Sequence, residues 1–542
     1  MKPSIKRLIF SVVLACAGLL AALLIVEAGM RLFSGTLEKD STLPTRVSLF
    51  DFGNVLAKKL TLMRDSYPKQ HDAVLGWVPK AGYSGSDNIL SKEINIAANT
   101  VRTNGAARPT SGSAILVTGD SFTFGDSVNN NETWPSYLEE ILARRVINGG
   151  VFGYGLDQSF LRAKSLADEV SPGVIVLGLI PDDIPRMGFS KWYGAEKPYF
   201  EISEGLLVLK NQPVPDVPTQ LDGLGFVKSV LGHFYTADYL MRRMGKAEWW
   251  YADKFKSIPV KNDLHAVSRR IVEGFYELAV RKGCRAAIVV QYTEADITDP
   301  RRANRKRIYP TIIHAREKGI PVIDFYPLLK SMPPDQLKTL YQGHMTASGN
   351  KFTAKMIAAA LASEGVIPNA SFLSSDVDFY RQVVSQNTDD LDKLAMAKDN
   401  FLRELANDPT NPSRYNTVGV LYLNLGALES AAFYFTKAVT LNPTYAEAVN
   451  NLGMVAMSTM HFADAEQFYR KAMELDTKIF EPYYNMACAR SLQNDPDGAA
   501  MWIEKAIQKG FASREQLEND GDLENARKSG KFMKLIESLP AK

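Results

Sequence analysis

The tripeptide Gly119-Asp120-Ser121 closes a short apolar run, SAILVT, over residues 113–118. Such a run reads as a buried parallel strand. A serine at the C-terminal end of that strand lies where open α/β sheets gather their active sites. Its hydroxyl becomes a useful nucleophile only when a base takes its proton, and an imidazole does this near neutral pH. The tetrahedral intermediate of acyl transfer also needs fixed donors for its oxyanion, each contributing roughly a hundred- to a thousandfold in rate. One histidine, His344, stands in GHMTASGN just ahead of an amphipathic helix. The six histidines are scattered, and Cys16, Cys284 and Cys488 lie far apart. That excludes a zinc-ligand spacing and a disulfide framework, and no metal or cofactor is expected.

The elements that must position these residues follow one rhythm. After the 113–118 strand, a helix is expected from about Trp134 to Arg145, with Thr133 as N-cap and Pro135 in its first turn. Strands follow at Val174–Leu179, Ala286–Gln291 and Pro321–Phe325; helices at Leu264–Lys282, Tyr309–Lys318 and Lys351–Ala362. Alternating strands and helices imply a three-layer α/β/α sandwich on a parallel sheet, of flavodoxin-like form. Residues 185–261 interrupt the alternation. They hold Trp192, Trp249 and Trp250, three of the six tryptophans, and a hairpin-like YFEISEGLLVL with a glycine turn. The aromatics either line a substrate groove or pack the insertion onto the core; packing is the favoured reading.

Four segments arrive in an order that resembles the SGNH (GDSL-type) hydrolase family: GDS at 119–121, INGGVFGYGLDQ, VLGLIPDDI and GHMTASGN. They cover roughly residues 113–365. The resemblance implies Ser121 as nucleophile, its own N–H and that of Gly153 in the oxyanion hole, and His344 as general base. Two positions depart from the family pattern. Where the family has an oxyanion-hole Asn, this chain has Asp182, and a carboxylate there repels the oxyanion by about 4 kcal/mol at about 4 Å and an effective dielectric of about 20. Where the family has an Asp shortly before the histidine, this chain has Tyr341 and Gln342. Loss of that orienting acid in a serine triad costs up to about ten thousandfold. Asp324 or Asp182 is therefore expected as the substitute acid at His344.

Around this core, expected over residues 71–368, lie two further regions. Leu8–Val26 is uncharged, close to the roughly 20 apolar residues that cross a bilayer core, and Lys2, Lys6 and Arg7 precede it. A transmembrane helix over 8–28 is expected, with the N-terminus cytoplasmic and the rest exported, the periplasmic side of the inner membrane in a bacterium; a cleaved signal peptide is the alternative. A spacer is expected over 30–70. From 376 to 542 the strands stop and a period of about 34 residues resembles the tetratricopeptide repeat, or TPR. The units 412–445, 446–479 and 480–513 align Gly419 with Gly453 and Ala487, and Phe435 with Tyr469 and Ile503; a partial unit precedes them. Such all-α solenoids bind protein partners.

The near-neutral net charge of +3 argues against nucleic acid. The combined expectation is a membrane-anchored serine esterase acting on acyl, often acetyl, esters of glycans or lipids. The alternatives are a polysaccharide O-acetyltransferase on the same fold and a catalytically degenerate scaffold whose repeats carry the function.

Overall fold

The computed structural model describes residues 18, 21–33, 53–57, 59, 68–86, 92–192, 194–216, 226–244, 246, 249–250, 257–260, 263–299, 304–368, 371–387 and 389–540. The chain forms two compact units, the first of Met1–Asn304 and Ala315–Asn387, the second of Arg305–His314 and Thr388–Lys542.

The first unit is mixed α/β around a five-stranded parallel sheet. Its strands are β1 (Ile115–Thr118), β2 (Val146–Asn148), β3 (Val174–Leu179), β4 (Arg285–Val290) and β5 (Val322–Asp324), in the order β5-β4-β3-β1-β2. Apart from Arg285 at the entry to β4, every strand residue is buried. The unbroken apolar runs that announced the strands are those of a sheet covered on both faces. Helix α1 (Trp134–Leu142) packs on β2 and on α5 (Ala347–Ser363); α2 (Leu156–Val170) packs on β1, β3 and α3 (Leu264–Arg281). Thr133 caps α1 by accepting the Ser136 N–H, as its sequence position implied.

Of the elements that build the sheet and its flanking layers, β2, which starts one residue before INGGVFGYGLDQ, and α2 had no counterpart in the sequence reading. Helix α2 buries Asp157, Gln158, Ser159 and Arg162 among its apolar residues, so it lacks the clean stripe that marks a helix. Asp157 is satisfied by the buried Lys197 ammonium at 2.5 Å. Lys197 belongs to the insertion, which thereby locks onto α2. The hairpin within the insertion pairs Tyr199–Ser203 with Leu206–Lys210 about a glycine turn, as expected. Trp250 is fully buried with Leu56, whereas Trp249 is exposed.

No helix among the described residues is long and apolar enough to cross a membrane. Most of the expected span, residues 8–17 and 19–20, lies outside the described residues; residues 21–32 are helical. Part of the segment read as a spacer is packed instead: Leu56 is buried, and Lys59 makes an ion pair with the buried Asp238 at 2.6 Å.

Helix α4 (Asn304–Glu317) follows β4, and α6 (Ser374–Gln386), which the repeat reading took into the solenoid, packs on α5 in the first unit. The second unit is a helical array. It runs through α7 (Asp390–Asn407), α8 (Pro412–Asn424), α9 (Leu428–Leu441), α10 (Ala446–Ser458), α11 (Phe462–Leu475), α12 (Glu481–Leu492) and α13 (Pro496–Gln508). Within each pair a small residue meets a large one. A Cβ on Gly419 would stand 2.5 Å from the Phe435 ring, and one on Gly453 2.4 Å from the Tyr469 ring. In the third pair Ala487 and Ile503 take these places, both fully buried. The smaller aliphatic partner leaves room for the methyl group.

Candidate active site

In this strand order the chain leaves β1 for β2 on one side and then for β3 on the other. That reversal opens a crevice at the C-terminal ends of β1 and β3, where open α/β sheets bind ligands. Ser121 follows β1 directly and starts a one-turn helix, Ser121–Phe124. Asp120 caps this turn by accepting the Phe122 N–H at 3.0 Å.

Gly125 ends the turn at φ +90°, where a Cβ would also strike Thr133. The chain then folds back, so that the N–H groups of Gly125 and Asp126 both donate to the Ser121 carbonyl, at 2.9 and 3.1 Å. Arg102, almost fully buried, holds the loop from behind. It donates to the carbonyls of Phe124, Gly125 and Val128 and to Asn130 Oδ1. Gly150 comes so near that an added Cβ would lie 2.3 Å from the Phe124 nitrogen. The loop after β2 is therefore seated directly on the serine turn.

His344 stands across a tight turn at Gly343 and two residues before Thr346, the N-cap of α5. Asn350 in the first turn of α5 donates to the Met345 and Thr346 carbonyls and accepts the Trp134 N–H at 2.9 Å. The histidine loop is thus tied to both α1 and α5. His344 Nε2 lies 3.0 Å from Ser121 Oγ, and the imidazole packs beside the Phe122 ring. The two residues singled out from sequence are brought together from opposite ends of the domain.

The carboxylate at this imidazole is Asp126, with Oδ2 3.7 Å from Nε2. It is buried, and it faces the same ring nitrogen that faces Ser121. The opposite nitrogen, Nδ1, has no partner among the described residues. Neither expected substitute reaches His344. Asp324, at the end of β5, accepts the Tyr292 hydroxyl at 2.9 Å and the Tyr326 N–H at 3.0 Å on one carboxylate oxygen. Asp182 is half-buried at the start of the turn Asp183–Arg186 and bonds no N–H of that turn with its side chain. The Gly153 N–H and the Ser121 N–H donate to no backbone acceptor among the described residues outside regular elements, and Gly153 adopts φ +74°.

Charge around the Ser121 turn is balanced by Arg186. Its Nη1 donates to Asp120 Oδ2 at 3.2 Å, Asp183 Oδ1 at 2.7 Å and the Tyr154 carbonyl at 2.9 Å. Burial, with the Asp120 charge beside it, pushes the Asp183 carboxyl well above the usual carboxylate range. Burial works against the Arg186 charge, but Asp183 and Asp120 outweigh it and hold the guanidinium above its ordinary value. Sequence reasoning passed over Asp126, Arg102 and Arg186. Asp126 alone carried a signal, as the second acid within the GDSFTFGD stretch. Among the described residues no group of three or more His, Cys, Asp or Glu could hold a metal ion.

Residues 412–445 and 446–479 match the model of the tetratricopeptide repeat family. An uncharacterized ycf37 protein of Guillardia theta is 26% identical over 83 residues, 15% of this chain and 47% of that protein. The chain thus spans about half the length of the curated relatives it matches. Among solved structures, MamA is 24% identical with a TM-score of 0.22, over 28% of this chain and 94% of the other. A protein from Desulfitobacterium hafniense, described as lipolytic and of the G-D-S-L family, is 16% identical with a TM-score of 0.27, over 47% of this chain and all of the other.

Proposed function

We propose that the first unit is an SGNH-type serine ester hydrolase, with Ser121 as nucleophile and His344 as base. The observation that carries this is the 3.0 Å approach of Ser121 Oγ to His344 Nε2, made by residues 223 positions apart at the sheet's crevice. In the reaction, the Ser121 hydroxyl donates its proton to Nε2 as the oxygen attacks the ester carbonyl. The imidazolium so formed faces the Asp126 carboxylate. At their separation and an effective dielectric of about 20, that attraction is on the order of 4 kcal/mol. The N–H groups of Ser121 and Gly153 are the donors for the oxyanion. His344 then returns the proton to the leaving alcohol, and water repeats the sequence to release the acid. In this reading Asp126 takes the place of the missing family acid, and Asp182 and Asp324 hold no acid role.

The substrate class we assign is an acyl, often acetyl, ester of a glycan or lipid; a sugar hydroxyl in place of water would make the same site an O-acetyltransferase. The apolar run 8–26 anchors the chain in the cell membrane with the catalytic unit outside the cytoplasm, and the TPR array engages a protein partner. One observation favours a second reading, a degenerate site kept as a scaffold: Nδ1 of His344 is unpartnered among the described residues, and Tyr341 occupies the expected acid position.

Hydrolysis of p-nitrophenyl acetate by the purified full chain in detergent decides between them. The hydrolase reading requires activity that Ser121→Ala and His344→Ala each abolish. Activity equal in all three proteins, or absent from the parent with this ester and with acetylated polysaccharide as acyl donor, would establish the scaffold.

A further inference from the structure

The insertion carries an apolar face that no described residue covers. Helices Phe226–Leu231 and Tyr235–Arg243 are fixed on one side. There Asp238 accepts from Lys59 at 2.6 Å and from Trp250 Nε1 at 3.0 Å, while Leu231, Ala237 and Met241 pack on Leu56 and Trp250. On the other side Phe226, Val227, Val230, Leu240, Met244 and Trp249 are exposed, Phe226 to 84%. Solvent-exposed apolar clusters of this kind mark a partner or a membrane.

A second observation names the occupant. The two Glu27 carboxylate oxygens accept the N–H groups of Tyr235 and Thr236 at 2.7 and 2.9 Å, capping the second helix from a distant segment. Arg31 bonds Glu27 at 2.6 Å and the His233 carbonyl at 2.8 Å. Glu27 is the first charged residue after the apolar run Leu8–Val26. Just before it, Leu23, Leu24, Ile25 and Val26 are all exposed, so this turn of the helix is apolar around its circumference and bare of protein, the pattern of a helix entering lipid. The exit of the apolar run is therefore clamped to the helices that bear the patch. Arg243 and Lys246 are exposed beside Leu240, Met244 and Trp249, the arrangement of an interfacial helix on anionic headgroups.

We propose that this face is a membrane-interface platform, lying in the headgroup layer of the same bilayer that holds residues 8–26. The proposal rests on the anchor reading above and is independent of the esterase reading.

The full chain, reconstituted in phosphatidylcholine–phosphatidylglycerol vesicles with brominated acyl chains, tests it. Bromine quenches only tryptophans within the bilayer. The expected result is a loss of tryptophan emission relative to unbrominated vesicles that disappears in Trp249→Phe and reappears in Trp249→Phe/Phe226→Trp. Quenching that is the same in the parent and in Trp249→Phe, with none gained at position 226, overturns the platform; a cross-linked dimer through this face then identifies a second copy as the occupant. Alkaline carbonate extraction separates the two readings. A chain that is released by carbonate but still quenched at positions 249 and 226 loses the anchor and keeps the platform.

Discussion

Asp126 and His344 meet at the ring edge that also faces Ser121, and this sets what the carboxylate can do. Behind the ring it would fix the tautomer and the orientation of the imidazole. At Nε2, in the proposed reaction, it acts on the charge that appears when the proton arrives. Asp126→Asn keeps the shape and removes the charge, so kcat for ester hydrolysis should fall by up to about a thousandfold with KM little changed. A fall in KM-related binding with kcat intact would assign Asp126 to substrate instead. Ser121 and His344 were legible because a strand end and a helix start are visible as patterns. Asp126 was visible only as a second acid near the serine; its approach to the imidazole was not, because that depends on the left-handed Gly125 and on Arg102 holding the carbonyls of Phe124, Gly125 and Val128. Neither leaves a periodic trace.

At the scale of elements, four of the five parallel strands were readable from their apolar runs and the repeats from their period of about 34 residues. Helix α2 was missed because its buried polar residues find their partners elsewhere: Lys197 for Asp157, the Leu75 carbonyl for Gln158 and the Thr100 carbonyl for Arg162. The repeats make their own prediction. Gly453→Ala drives a methyl group into the Tyr469 ring and should destabilise the array by about 1–3 kcal/mol. Adding Tyr469→Ile recreates the Ala487–Ile503 pairing and should recover much of that loss. Chemical denaturation followed by circular dichroism reads both; a double variant no more stable than the single would show that the ring contact is not what excludes the methyl group.

For the whole molecule, the division into units does not follow the order of the chain. Residues Arg305–His314 belong to the second unit although they lie between two strands of the first. There Arg305 pairs with Asp389 and Asp392, the Tyr309 hydroxyl donates to Asp392 at 2.7 Å, and Pro310 sits against Gly426. A fragment of residues 388–542 lacks all three contacts and should melt several degrees below the same array in the intact chain, since a loss of about 1 kcal/mol moves Tm by about 2–4 °C in a unit of this size. Equal melting temperatures would mean that the array is self-sufficient.

The interleaving also bears on how the protein is made. A ribosome completes Arg305–His314 well before Asp389 emerges, and at about 5–20 residues per second the delay is on the order of 4–15 seconds. For that interval the α/β unit can close its sheet, but the 305–314 segment waits for partners not yet synthesised. Its exposed apolar side chains, among them the eventually buried Ile308 and Tyr309, are then a natural hold for a chaperone during biogenesis.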